Sequence, residues 1–535
     1  MRALALALLL SGGPGDPIDK AIDSKAGGPL APRAGDAEFL RRATLDLAGT
    51  IPSADEARKF LTDADPGKRE KLIDRLLTTP DYARRMGDAF TVMFLERRPG
   101  ARIPDRQWDE FVRKLFGENV PWDEIVRRIL VSDGREPETR PAMKFLADAS
   151  GGDAHRMTQD VSRLFLGKNI LCAQCHDHPS VGEWKQAEYM GLYAYLNQSK
   201  VYEDGKTKQA VMVEGVATQK VEFSSVFSPA KKNSTGPRLA GGEEVEIPAF
   251  EKGKEFETPP VKGGHPGVPM FRPRERLAAD LTAPGNRQFA RSAVNRLWFL
   301  LLGRGLIHPL DLDHKGNAPS HPELLEALTD DFVGSKFDIK RLLRKIALSE
   351  VYQRSSVLPG GAVPPASYRV ARLRALSAEQ MAWSLMRATG VEERILAAKV
   401  PEKSAFTMKD YLNGKLKEPP SNLPDVLRFF AETFGNAPGD PEVEFQPSMT
   451  HALFLMNERM VLGWLEPGEG NLVARLEKLG DPADELYLSV LTRMPDPEER
   501  AEVAAHLVKN KARRAEALGE LAWALMASAE FRLNH

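Results

Sequence analysis

The sequence predicts a mainly α-helical, multi-helical protein of two domains with a small β-rich insertion around residues 199–265. Three observations predict it. Apolar residues recur at three- and four-residue spacings through most of the chain, helix-start signals punctuate them, and strand-like alternation is confined to one stretch. At 535 residues the chain exceeds what one hydrophobic core usually serves.

The expected first domain covers residues 16–198. Phe39, Leu40, Ala43, Leu45 and Leu47 fit a mostly buried helix, which Thr50-Ile51-Pro52 stops. Ser53-Ala-Asp-Glu56 is a capping box that starts a helix running to about Leu61. Pro66 opens the next, with Leu72, Ile73, Leu76 and Leu77 as its apolar residues. Thr79-Pro80-Asp81 then restarts the chain, and Tyr82, Met86, Phe90 and Phe94 mark one face at spacings of four. DRQWDEFVRKLFGEN and PWDEIVRRILVS read as two amphipathic helices, the second with Pro121 in its first turn. A helix from about Asp153 ends at Gly167, a fit for a left-handed C-cap, and delivers the chain into Ile170-Leu171-Cys172. Glu183 to Leu196 reads as a helix carrying Trp184, Tyr189, Tyr193 and Tyr195.

In residues 199–265, Val211, Val213, Val221, Phe223 and Val226 alternate with polar neighbours between glycines and prolines. Lys-, Glu- and Gly-rich text at 241–264 reads as a linker between domains. The second domain, 266–535, is expected to be helical again. It contains Asn286–Leu302, a second capping box at Ser320-His-Pro-Glu323 before a helix at Leu324–Val333, and apolar Leu342, Leu343, Ile346, Ala347 and Val351. After a Pro/Gly-rich break, helices are expected near Ser377–Thr389, Val426–Phe434, Ser448–Leu465, Leu472–Leu479, Glu485–Thr492 and, with an interruption, Asp496–Phe531.

Composition excludes several classes of function. Basic and acidic side chains number 74 and 75, and no basic block stands out, so no nucleic-acid partner is expected. Two cysteines cannot staple so long a chain. Residues 1–15 open with MRALALALLLSGG, one Arg followed by an apolar run and small residues, the layout of a secretory signal too short to span a bilayer. Export to a periplasmic or extracellular compartment is therefore expected, with no integral membrane segment in the mature chain. Neither a P-loop, a G-x-G-x-x-G fingerprint nor a G-x-S-x-G elbow occurs.

Both cysteines and two of the ten histidines fall within Cys172-Ala-Gln-Cys175-His176-Asp-His178. Two thiols in C-x2-C spacing followed by histidine form the arrangement for covalent c-type haem, with Cys172 and Cys175 taking the vinyl groups and His176 the iron. His178 lies too near His176 in sequence to reach the opposite porphyrin face. Met157, Met190, His155 and His265 are the candidates for a sixth ligand. A second reading is a zinc site from Cys172, Cys175, His176 and His178, with His155 or His265 as replacement ligands. A third is a Cys172–Cys175 disulfide, structural or redox-active. Asp311, Asp313 and His314 form a short cluster that reads as a solvated turn.

The chain resembles a pair of linked domains known from planctomycete secreted proteins, a cytochrome-like domain followed by its C-terminal companion. FLRRATLDLAGTIPSADEARKFLTD, PWDEIVRRIL and FLGKNILCAQCHDHPSVGEWKQAEYMGLYAYL carry the first resemblance. NRQFARSAVNRLWFLLLGRGLIHPLD, FDIKRLLRKIALSEVYQRSS and PSMTHALFLMNERM carry the second. Where relatives usually have Phe-Asp-Lys-Trp after the motif, this chain has Ser180-Val181-Gly182-Glu183-Trp184, a departure that leaves Cys172, Cys175, His176 and His178 in place. The resemblance implies a cytochrome-like site without implying an activity. The expected function is an exported protein with one haem c that exchanges single electrons with a redox partner protein. The alternative is a binding or scaffold protein whose Cys/His cluster holds a structural zinc or a disulfide.

Overall fold

The computed structural model describes residues 16–535 apart from 206–207, 263–264, 359, 361, 402–405, 414, 417–418 and 442–457. The expected signal segment at 1–15, and most of the helix expected at Ser448–Leu465, lie outside the described residues. The chain is mainly α, with sheets of only two strands each among the described residues.

Two compact units form, and neither follows one half of the sequence. The first contains residues 16–25 and Ala89–Ile346, the second Ala26–Asp88 and Ala347–His535. The stretch 199–265 thus divides the sequence but not the packing, since it lies wholly inside the first unit. The division falls instead within the helix Pro80–Leu95 and near the end of Ile339–Leu348.

The first unit is built on an aromatic core. The ring of Phe94 meets Trp108 at 6.3 Å and Trp122, Phe145 and Phe165 at 6.0 Å each. Such offset and edge-on pairs add to the burial of large apolar rings. Trp122 also stacks on Phe289 at 6.4 Å, so helix Trp122–Val131 and helix Arg287–Leu302, distant in sequence, share one core. Helix Ala154–Leu166 packs between Arg287–Leu302 and Gln186–Leu196. It is pinned by a buried ionic cluster in which Arg98 bonds Asp160 at 2.7 and 3.1 Å and Glu96 at 2.7 Å.

The β-rich part consists of three separate antiparallel pairs, Ser199–Glu203 with Ala210–Glu214, Val221–Ser225 with Ser228–Thr235, and Phe256–Thr258 with Val268–Pro269. None has a sheet core of its own. The second pair instead lies against helix Gln186–Leu196.

In the second unit helix Asp36–Ala48 is buried from Phe39 to Ala48, charged residues included. Its guanidiniums end on carbonyls: Arg41 reaches Phe531 at 2.6 Å, and Arg42 reaches Tyr352 at 2.6 Å and Arg354 at 2.8 Å. Helix Ala378–Thr389 packs on Leu423–Phe434 and Ala483–Leu491.

The capping box at Ser53 forms on both sides. The one expected at Ser320 does not. Ser320 gives both its backbone N–H and its hydroxyl to the carbonyl of Leu306, at 2.8 and 3.2 Å, and helix Pro322–Gly334 starts after His321 with proline in its first turn. The helix expected from Glu183 begins at Gln186, because the residues before it close a turn described next.

Candidate functional site

The motif is placed by the end of one helix and the start of another. Helix Ala154–Leu166 begins where Asp153 accepts the N–H of Arg156 at 2.8 Å and ends at Gly167 in the left-handed region, φ 64°. A side chain there would sit 3.2 Å from the Leu310 carbonyl and 3.3 Å from the Ser292 hydroxyl, so both backbone conformation and space favour glycine. Two main-chain bonds then hold the exit: Asn169 donates to Asp311 at 2.7 Å and Asp313 donates to Gly167 at 3.0 Å.

A short 3-10 turn, Leu171–Gln174, follows. Ala173 is its buried anchor, whereas Cys172 and Cys175 are exposed and unbridged. The side chain of Gln186 donates to the Gln174 carbonyl and to the Ser224 carbonyl, each at 3.2 Å, tying the turn to the second β pair. The N–H of Val226, at the tip of that pair, donates to the Cys175 carbonyl at 3.0 Å.

The two histidines have opposite hydrogen-bond roles. Nδ1 of His176 lies 2.7 Å from the Asp177 carbonyl, which only accepts, so Nδ1 carries a proton, and the neutral ring in this tautomer has its lone pair on Nε2. Nδ1 of His178 instead accepts the N–H of Val181 at 2.9 Å and of Ser180 at 3.2 Å. Its neutral ring therefore carries hydrogen on Nε2. Burial, with the nearby imidazoles of His314 and His176, pushes the His178 pKa below the ordinary value and favours that neutral form. Trp184 stands edge-on to His178 at 5.1 Å and to His314 at 5.4 Å. Asp177 accepts the N–H of Gln186 at 2.9 Å and pairs with Lys185 at 3.1 Å; these bonds, the first foremost, hold its carboxyl below the usual range.

Among the described residues no three His, Cys, Asp or Glu side chains gather as a metal-holding group, so Cys172, Cys175, His176 and His178 do not converge here. Met157 and Met190 are buried core residues. The His155 ring stacks on Tyr193 at 4.3 Å, with Nδ1 2.9 Å from the Tyr189 hydroxyl. His265 accepts the N–H of Gly267 at 2.9 Å and touches Arg135. Within the cluster read as a solvated turn, Asp313 accepts from Arg291 and Gln288, each at 2.9 Å.

Two features carry no local sequence signal. Leu171, Val226 and Phe227 are 52%, 60% and 78% exposed beside the thiols, and the Phe227 ring lies 4.9 Å from that of His176. These residues meet because a hairpin folds back some fifty residues after the motif. The second feature is a cavity of about 670 Å³ walled by Leu166, Ile170, Trp184, Leu192 and Leu239, with Lys168 and Lys315 also lining it. It adjoins Trp184 and is not lined by Cys172, Cys175 or His176.

Residues 17–201 match the family described as PSCyt2, protein of unknown function (DUF1549), and residues 273–507 match PSD1, protein of unknown function (DUF1553). No curated protein and no solved structure matches the chain. No helix among the described residues is long and apolar enough to cross a membrane.

Proposed function

From a chain that carries these two domains in tandem, we propose a c-type haem protein in which Cys172 and Cys175 hold the porphyrin and His176 is the proximal ligand. The observation that carries this reading is the His176 tautomer, with Nδ1–H given to the Asp177 carbonyl and Nε2 left as a donor to metal. The donor set fits the group. Both thiols are exposed and unbridged, and each can add its S–H across a vinyl double bond, sulfur to one carbon and hydrogen to the next, without an oxidant.

When bound, haem iron supplies a one-electron couple whose potential is set by axial ligand and burial. The residues of the chain hold and orient it. Asp177 fixes the His176 ring through its carbonyl and anchors the following helix through its carboxylate. His178 closes the turn and stays out of the ligand set. Leu171, Val226 and Phe227 supply exposed apolar surface of the kind a ligand or partner covers. With Cys172 and Cys175 exposed, a redox partner could approach a group held there, and export would bring the chain to the compartment where such attachment takes place.

Expression with a c-type maturation system tests the assignment. A Soret band that survives denaturation, and is lost in Cys175→Ser, is expected. Stoichiometric zinc without covalent haem, or a Cys172–Cys175 disulfide in the matured protein, contradicts it.

A further inference from the structure

The 670 Å³ cavity beside Trp184 has the volume of a small-molecule site and an uneven balance of donors and acceptors. Its carboxylates are engaged. Glu188 accepts from Arg238 at 2.9 Å and from the N–H of Gly241 at 3.1 Å; Asp313 accepts from Arg291 and Gln288; Glu326 pairs with Arg287 at 2.6 Å and with Arg291; Glu183 accepts the N–H of Lys315 at 3.2 Å. The ammonium groups of Lys168 and Lys315 have no carboxylate partner among the described residues. Trp184 is 3% exposed and its indole N–H has no acceptor there, an arrangement that is costly for a buried donor. The charges without an ionic partner are thus two ammonium groups against one carboxylate, that of Glu183, which takes a single backbone N–H. Leu166, Ile170, Leu192 and Leu239 add hydrocarbon to the lining.

We propose that this cavity binds an amphipathic organic anion, a flat apolar body bearing a carboxylate, with the body on Trp184 and the lining leucines and the carboxylate towards Lys168 and Lys315. The charge of such a ligand meets two unpaired cations and its body fills space that water serves poorly. The site does not depend on what the thiols hold.

Calorimetric titration of the full chain with 2-naphthoate, against 2-naphthamide and inorganic sulfate, tests it. Naphthoate is expected to bind saturably at one site, about tenfold more tightly than the amide, which lacks the charge, or the sulfate, which lacks the body. Lys168→Gln and Lys315→Gln should each weaken naphthoate about threefold. Both side chains reach solvent, so melting temperature should stay unchanged, which separates lost binding from lost folding. Absence of saturable naphthoate binding at millimolar concentration, equal binding of the amide or of sulfate, or indifference to both lysine substitutions overturns the proposal.

Discussion

Nδ1 of His178 accepts the backbone N–H of Val181 at 2.9 Å, two residues beyond a His176 whose own Nδ1 faces the carbonyl of Asp177 at 2.7 Å. Neighbouring imidazoles are thereby fixed in opposite tautomers. His178→Ala should keep covalent haem and its proximal ligation while lowering stability by about 1 kcal/mol, the worth of a typical hydrogen bond. His176→Ala should keep both thioether bonds and lose the proximal ligand. Absorption spectra of the ferric and ferrous proteins, with urea unfolding, separate the two outcomes.

Phe227 packs on the His176 ring yet is 78% exposed. Phe227→Ala should therefore change folding stability by no more than about 0.5 kcal/mol. It should shift the reduction potential of the attached haem, since it alters the surroundings of the proximal ring. Potentiometric titration beside a urea curve checks both halves.

His321 is buried in the first unit, and that burial pulls its imidazole from 6.5 down to about 4. Between these values the unfolded chain takes up a proton that the folded one refuses. Its contribution is therefore complete above pH 6.5 and is lost as pH falls towards 4, by up to roughly 3 kcal/mol. His321→Gln should flatten this part of the profile, read as the urea midpoint at pH 7 and pH 5.

Asp46 is fully buried in the second unit. It accepts from Arg374 at 2.8 and 2.7 Å, from the Tyr352 hydroxyl at 2.9 Å and from the Asn534 amide at 2.8 Å. Asp46→Ala leaves the half-buried Arg374 guanidinium without this counter-charge and the Tyr352 hydroxyl and Asn534 amide without this acceptor, and should cost about 3 kcal/mol. Fluorescence of Trp383 and Trp464, which belong to the same core, follows the loss during urea unfolding.

Helices with a strong apolar stripe and a local start signal were legible in the sequence, because both causes lie within a few residues. Ser53 and Ser320 show where this stops. Each stands three residues before a glutamate, but the Leu306 carbonyl claims Ser320, and no local pattern reveals that competitor. Ser53→Ala should cost about 1 kcal/mol through the lost cap, whereas Ser320→Ala should leave the start of helix Pro322–Gly334 unchanged by circular dichroism. The motif was legible for the same local reason. Its hydrogen-bond roles, the Phe227 contact and the cavity were not, because they depend on Val226 returning to Cys175 and on residues 287–319 packing beside residues 162–192. The interleaved units were hidden likewise, since a linker-like composition at 199–265 does not say which helices share a core.

Intact mass of the full chain, purified under denaturing conditions from cells competent in c-type maturation, tests the central assignment most directly. The expected result is the mass of the chain plus one haem, with the addition mapped to the peptide holding Cys172 and Cys175 and absent from the Cys172→Ser/Cys175→Ser chain. An unmodified mass, or one short by the two hydrogens of a disulfide, contradicts it.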